Sequence, residues 1–193
     1  DRDGDKDVVV INIGPERVLI NDGKGFFRDE TATLFPLTTD ASRAGRLADF
    51  NRDGHLDLIV ANSRAQQNRL YFNDGKGKFT DVTAENMPPL TDTSNNVSVA
   101  DFDRNGTPDI FFANSGPFDR GAHEFPGEQN RLLLNNGTGK MLDKTHVYFG
   151  SYVYKTKNFA DGVDGIEKAT DSSKPKLKII VNSIFSKVVV ENK

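Results

Sequence analysis

Cysteine is absent from the 193 residues. That excludes disulfide scaffolds, thiolate metal sites and cysteine nucleophiles together. It does not assign a compartment, because a bound ion can replace a disulfide in an oxidising environment. Histidine is scarce, with three copies, so an imidazole metal cluster of the zinc type has almost no donors to draw on. No run approaches the roughly 18 apolar residues that a membrane-spanning helix needs. The net charge of −3 offers no basic field for nucleic acid. The chain opens at Asp1 with neither Met nor a signal-like segment, so any targeting information is expected to lie outside it.

What is abundant is turn chemistry. Seventeen Gly and many Asx residues interrupt short apolar runs, which suits short strands and leaves no lasting helical stripe. The phrase Ala48-Asp49-Phe50-Asn51-Arg52-Asp53-Gly54-His55-Leu56-Asp57 returns as Ala100-Asp101-Phe102-Asp103-Arg104-Asn105-Gly106-Thr107-Pro108-Asp109. Asp1-Arg2-Asp3-Gly4-Asp5-Lys6-Asp7 is its earlier copy, and Gly4, Gly54 and Gly106 stand 50 and 52 residues apart. A second phrase follows each copy: Asn21-Asp22-Gly23-Lys24-Gly25, Asn73-Asp74-Gly75-Lys76-Gly77 and Asn135-Asn136-Gly137-Thr138-Gly139. Asx-Gly after an apolar run marks a hairpin, because these residues accept positive φ.

Each unit therefore reads as strand, Asp-rich loop, strand, loop, strand, Gly turn, strand. Four antiparallel strands every 50 to 60 residues is the size of one blade of a β-propeller. Leu58-Ile59-Val60-Ala61 is apolar on both faces, as a strand sandwiched between neighbouring blades must be. The expected fold is all-β: a single partial β-propeller over 1–193, of about three and a half four-stranded blades with Asp-rich calcium loops. Its repeats run over about 1–46, 47–97 and 98–147, with a degenerate fourth over 148–193. In that fourth unit Lys174 and Lys178 replace the loop carboxylates, so it is expected to hold no metal. Three and a half blades opening in mid-loop imply a fragment of a larger parent, or one partner of an assembly.

The loop spacing specifies a cation. In the second loop Asp49, Asn51, Asp53 and Asp57 occupy positions 1, 3, 5 and 9, with Gly54 at 6 and the carbonyl of His55 at 7. The third supplies Asp101, Asp103, Asn105 and Asp109, with the carbonyl of Thr107. The first supplies Asp1, Asp3 and Asp7, with the carbonyl of Asp5. Alternate oxygens in a tight loop converge on one point, and calcium accepts six to eight oxygens at flexible geometry. Magnesium demands a stricter octahedron and zinc prefers Cys and His, so Ca2+ is the expected ion. The His55 ring is expected to point to solvent.

The phrase Ala-Asp-Phe-Asx-x-Asx-Gly-x-x-Asp before an apolar run resembles FG-GAP repeats, also called VCBS-type repeats, of integrin α-subunits and many bacterial surface proteins. Asn68-Arg69-Leu70-Tyr71-Phe72-Asn73-Asp74-Gly75 with Phe79-Thr80-Asp81-Val82-Thr83 looks similar to the cartilage acidic protein and ASPIC/UnbV-associated group. The resemblance covers residues 1 to about 145. It implies calcium at the loop positions, extracellular residence (secreted or cell-surface), and adhesion or ligand display without catalysis. The implied partners are a protein or glycan met through loops, and the remaining blades of the parent or another copy. An alternative is the scaffold of a secreted polysaccharide-acting enzyme, and a further one is a purely architectural repeat in an adhesin. The third unit alone carries an insertion, Ser115 to Gln129, which places Asp109 and Arg131 22 residues apart against 10 and 12 in the other units. His123-Glu124 within it lacks a nucleophile, and Tyr148, Tyr152, Tyr154 and Lys155 read as alternating strand residues. Asn96-Val97-Ser98, Asn105-Gly106-Thr107 and Asn136-Gly137-Thr138 match the glycosylation pattern that an Asn-rich chain produces by chance.

Overall fold

The computed structural model describes residues 3–115, 128–144 and, for the backbone alone, the strands Lys178–Asn182 and Lys187–Glu191. Asp1, most of the insertion with His123 and Glu124, and Tyr148 to Lys155 lie outside the described residues. The chain divides into two compact units, Asp1–Thr145 and His146–Lys193.

The described part of the first unit is all-β apart from two single helical turns. Its first sheet holds β1 (Val8–Val10), β2 (Arg17–Asn21) and β3 (Phe27–Asp29) in that order. The second holds β4 (Ser42–Ala48), β5 (Asp57–Asn62), β7 (Arg69–Asn73) and β8 (Phe79–Asp81), also in chain order. The third repeats it with β10 (Ser94–Ala100), β11 (Asp109–Asn114), β12 (Arg131–Asn135) and β13 (Met141–Asp143). All neighbours are antiparallel, and the registers superpose: Leu58 faces Tyr71 where Ile110 faces Leu133. Short connections favour such a meander, and the longer link between β11 and β12 also joins neighbouring strands. In the second unit β14 (Lys178–Asn182) pairs antiparallel with β15 (Lys187–Glu191).

The burial of β5 explains its lack of alternation, since all six of its residues are buried. One face, Leu58 and Val60 with Tyr71 and Phe79, packs on Val18 and Phe35 of the first repeat. The other, Ile59 and Ala61 with Leu70, packs on Val97, Ile110, Phe112, Leu133 and Met141 of the third. Each fully buried aliphatic side chain of this kind contributes about 1.5–3 kcal/mol. The three sheets thus stack face to face, and the middle one is covered twice.

Two elements differ from the sequence expectation. Helical turns α1 (Thr31–Leu34) and α2 (Thr83–Asn86) follow β3 and β8. Each is built from an Asp-x-Thr step: Asp81 Oδ1 accepts the Thr83 amide at 2.9 Å, and Thr83 Oγ1 accepts the Leu70 amide at 3.0 Å. Asp29 and Thr31 repeat this against Val18. Four residues are too few to display a helical period, so the hydrophobic pattern could not reveal them. The second difference is a two-residue pairing of β6 (Gln66–Gln67) with β9 (Thr91–Asp92), which ties the second repeat to the entry of the third.

Candidate metal centre

The loop between the first two strands of each full sheet is wound by its own carboxylates. Asp49 Oδ1 accepts the amide of Asp53 at 3.1 Å and its Oδ2 that of Gly54 at 2.9 Å. Asn51 Oδ1 also takes the Asp53 amide, and Asp53 Oδ1 takes that of His55. The third loop copies this, with Asp101 on the amides of Asn105 and Gly106, and Asn105 on that of Thr107. Gly54 and Gly106, at φ of 81° and 82°, make the reversal that a Cβ would oppose. The residue two before each, Arg52 or Arg104, is held left-handed at 64° or 62°. That conformation strains a side-chain-bearing residue, and such strain concentrates at functional sites.

The last loop carboxylate is structural as well as convergent. Asp57 and Asp109 are fully buried. Asp57 accepts the amides of Phe50 (2.9 Å) and Asn73 (3.0 Å), and Asp109 those of Phe102 (2.7 Å) and Asn135 (2.8 Å). Burial pushes the Asp57 carboxyl up to about 6 against those hydrogen bonds, and pushes Asp109 up in the same way. A nearby cation offsets such a cost directly.

In the third loop Asp101, Asp103 and Asp109 each bring a carboxylate oxygen within 4.8 Å of the others. Among the described residues this is the one acidic trio so closely gathered. The set fits a hard cation of calcium's size, since it offers oxygens alone and leaves Asn105 Oδ1 and the Thr107 carbonyl beside it. Asp49, Asn51, Asp53 and Asp57 share the fold of that loop without the same closeness of three carboxylates. In the first loop Asp3 Oδ1 accepts the Asp5 amide, and Asp7 Oδ1 accepts the Asn21 amide at 2.9 Å. The Asp5 carboxyl is raised, by desolvation first and then by Asp3, Asp7 and Asp22.

The His55 ring does not point to solvent. It packs on the β7–β8 turn, where a Cβ on Gly75 would lie 2.4 Å from Cε1, and its Nδ1 is buried without a hydrogen-bond partner. Asp5 and Thr107 take the same place against Gly23 and Gly137. The seventh loop residue therefore supports the hairpin turn with its side chain and leaves its carbonyl to the loop.

Sequence reasoning passed over Asn21, Asn73 and Asn135, the last residues of the third strands. Each side-chain oxygen accepts the amides two and four residues on, which shapes the Gly turn. Each backbone amide donates to the final carboxylate of its loop. Their recurrence one step before every Asx-Gly was the available signal. Asp40 and Asp92 were also passed over. Arg69 donates to Asp40 at 2.7 Å and to Asp81 at 3.0 Å, and Arg131 donates to Asp92 at 2.8 Å. Of the glycosylation triplets, Asn96 lies within β10 before buried Val97, Asn105 belongs to the loop, and Asn136 sits exposed in a turn.

The FG-GAP-like repeat family matches residues 1–60 and 49–112. Cartilage acidic protein 1 of Homo sapiens is 37% identical over 109 residues, which is 52% of this chain and 16% of that protein. The Mus musculus protein of the same name is 34% identical over 107 residues, with the same shares. The match thus spans 16% of the length of these relatives. With two overlapping copies of the repeat across its first 112 residues, the chain belongs to the FG-GAP-like repeat family.

Proposed function

We propose that this chain is a calcium-stabilised segment of a β-propeller, displaying loops for a protein or glycan ligand outside the cell and performing no catalysis. The convergence of Asp101, Asp103 and Asp109 in a loop that recurs carries the reading. Repeats over about 1–46, 47–97 and 98–147 supply three blades, and 148–193 a degenerate fourth without metal ligands. Their edges meet the remaining blades of a parent, or another copy. The family favours a binding role, and relatives named for cartilage favour an extracellular setting. Among the described residues no helix is long and apolar enough to cross a membrane.

Asp101, Asp103, Asn105 and Asp109 with the Thr107 carbonyl would hold the ion in the third loop. Asp49, Asn51, Asp53 and Asp57 with the His55 carbonyl would do so in the second, and Asp1, Asp3 and Asp7 with the Asp5 carbonyl in the first. Bound calcium supplies positive charge that cancels the mutual repulsion of these carboxylates. The remaining work belongs to the chain: amides of positions 5 to 7 aim the carboxylates, and the buried ninth residue anchors the loop to the third strand.

Thermal unfolding in millimolar calcium, in excess chelator and in magnesium tests this. At tenfold excess over the dissociation constant, calcium should stabilise by about 1.4 kcal/mol per site. An identical melting temperature in calcium and chelator would sink the proposal.

A further inference from the structure

Asn135 touches the loops of two repeats. It is 1% exposed at the end of β12. Its amide donates to Asp109 Oδ1 at 2.8 Å, and its carbonyl accepts Asn105 Nδ2 at 2.9 Å and Thr107 Oγ1 at 3.2 Å. These bonds fix three positions of the third loop. The side-chain Nδ2 leaves the repeat: it donates at 2.8 Å to the carbonyl of Phe50, 85 residues earlier, as well as to that of Pro108. Phe50 is the second residue of the second loop, and its amide donates to Asp57 Oδ2. Both peptide groups flanking Phe50 are therefore set, one by a residue of its own loop and one by the neighbouring repeat.

A second tie runs the other way. Arg52, the left-handed residue of the second loop, donates from Nη2 to the carbonyl of Asn105 at 3.2 Å. The same nitrogen lies 3.2 Å from where a Cβ on Gly106 would stand. A glycine there keeps the path open.

We infer that the second and third loops take up metal as one cooperative unit, with Asn135 and Arg52 as the positioning residues that join them. The inference rests on the calcium reading above. Filling either loop orders peptides that the other also uses, so the second ion meets a loop whose ordering cost is already reduced. Repulsion between two dications opposes this, but it acts across exposed, screened loops. Linkage then requires reciprocity: each loop raises the other's affinity by the same factor.

The test is a calcium titration of the full chain followed by the amide resonances of Gly54 and Gly106, which donate to Asp49 and Asp101 and so report the two loops separately. Asp101→Ala should weaken calcium binding at Gly54 by about fivefold or more, the lower range of ordinary allosteric coupling. Asp49→Ala should weaken it at Gly106 by the same factor. In an Arg52→Ala background both effects should shrink together, and what remains is the share carried by the Asn135–Phe50 bond. Arg52 is exposed, so that variant retains the fold, which truncating the buried Asn135 puts at risk. Independent loops, with Asp101→Ala leaving the Gly54 titration unchanged, would overturn the coupling while leaving the calcium reading intact. No calcium response at either glycine in the unmutated chain would remove both.

Discussion

Asp109→Ala and Asp101→Ala should part company in the complete absence of metal. Both residues belong to the same loop, yet one is fully buried and the other exposed. Asp109 accepts the amides of Phe102 and Asn135, and the second of these belongs to a buried residue. Stripping the acceptor from a buried amide costs about 1–3 kcal/mol each. Two such losses, less the relief of no longer holding a carboxylate whose ionisation burial disfavours, leave a net cost of roughly 3 kcal/mol. For a chain of this size that lowers the melting temperature by about 6–12 °C. Asp101 accepts two amides in water-exposed backbone, where solvent replaces the carboxylate, so its removal costs about 1 kcal/mol or less. Circular dichroism melts in chelator should rank the unmutated chain just above Asp101→Ala and well above Asp109→Ala. Added calcium should then widen the gap between the unmutated chain and Asp101→Ala by at least one site's contribution, about 1.4 kcal/mol at tenfold excess. Equal melting of the two variants in chelator would refute the assignment of Asp109 as a buried structural acceptor.

Three further contrasts are read from thermal or urea unfolding. Gly75→Ala meets both a left-handed φ of 79° and the His55 ring, so it should cost about 2–3 kcal/mol from conformational strain and overpacking together. Adding His55→Ala should return the overpacking part alone, and full recovery would show that the φ requirement is absent. Arg131→Ala leaves Asp92, whose side chain is 5% exposed, charged without its partner, at a cost of about 3 kcal/mol. Arg17→Ala breaks an ion pair 63% and 45% exposed and should change stability by under about 1 kcal/mol; comparable losses would contradict the burial argument. Tyr71→Phe removes a buried hydroxyl that lies beside Thr38 without a well-formed hydrogen bond, the Thr38 hydroxyl donating to Glu16 instead, so it should be neutral or stabilising by up to about 1 kcal/mol. A clear loss in urea unfolding would reveal a partner for that hydroxyl.

The all-β antiparallel architecture was legible because repetition outweighs local ambiguity. One Asp-x-Asx-x-Asx-Gly loop is a turn like many others, but copies in register define strand, loop and hairpin at once. The continuous apolar run of β5 likewise announced a strand buried on both faces, and Leu58 and Ile59 indeed belong to separate clusters. What the pattern could not carry was direction. Whether the His55 side chain leaves the loop outward or folds onto a turn twenty residues later depends on Gly75 having no Cβ to obstruct it. That depends on the pairing of β5 with β7, which only the register provides.

The same reasoning shows why the repeats are unequal despite their matching phrases. A repeat sequence specifies contacts inside a unit, so Asn21, Asn73 and Asn135 all shape their own Gly turns and all donate to their own loop carboxylate. A contact between units depends on the residues of two repeats together, and identical phrases need not repeat it. Asn73 Nδ2 donates to Leu56 within its repeat; Asn135 Nδ2 makes the equivalent bond to Pro108 and adds one to Phe50 of the preceding repeat. In a stack of repeats, stability is a sum of unit terms and nearest-neighbour terms. Here the loops are unit terms readable from spacing, and the Asn135–Phe50 and Arg52–Asn105 bonds are neighbour terms visible only once the sheets stack. Coupling between metal sites, if repeats are to act together at all, has to reside in terms of the second kind.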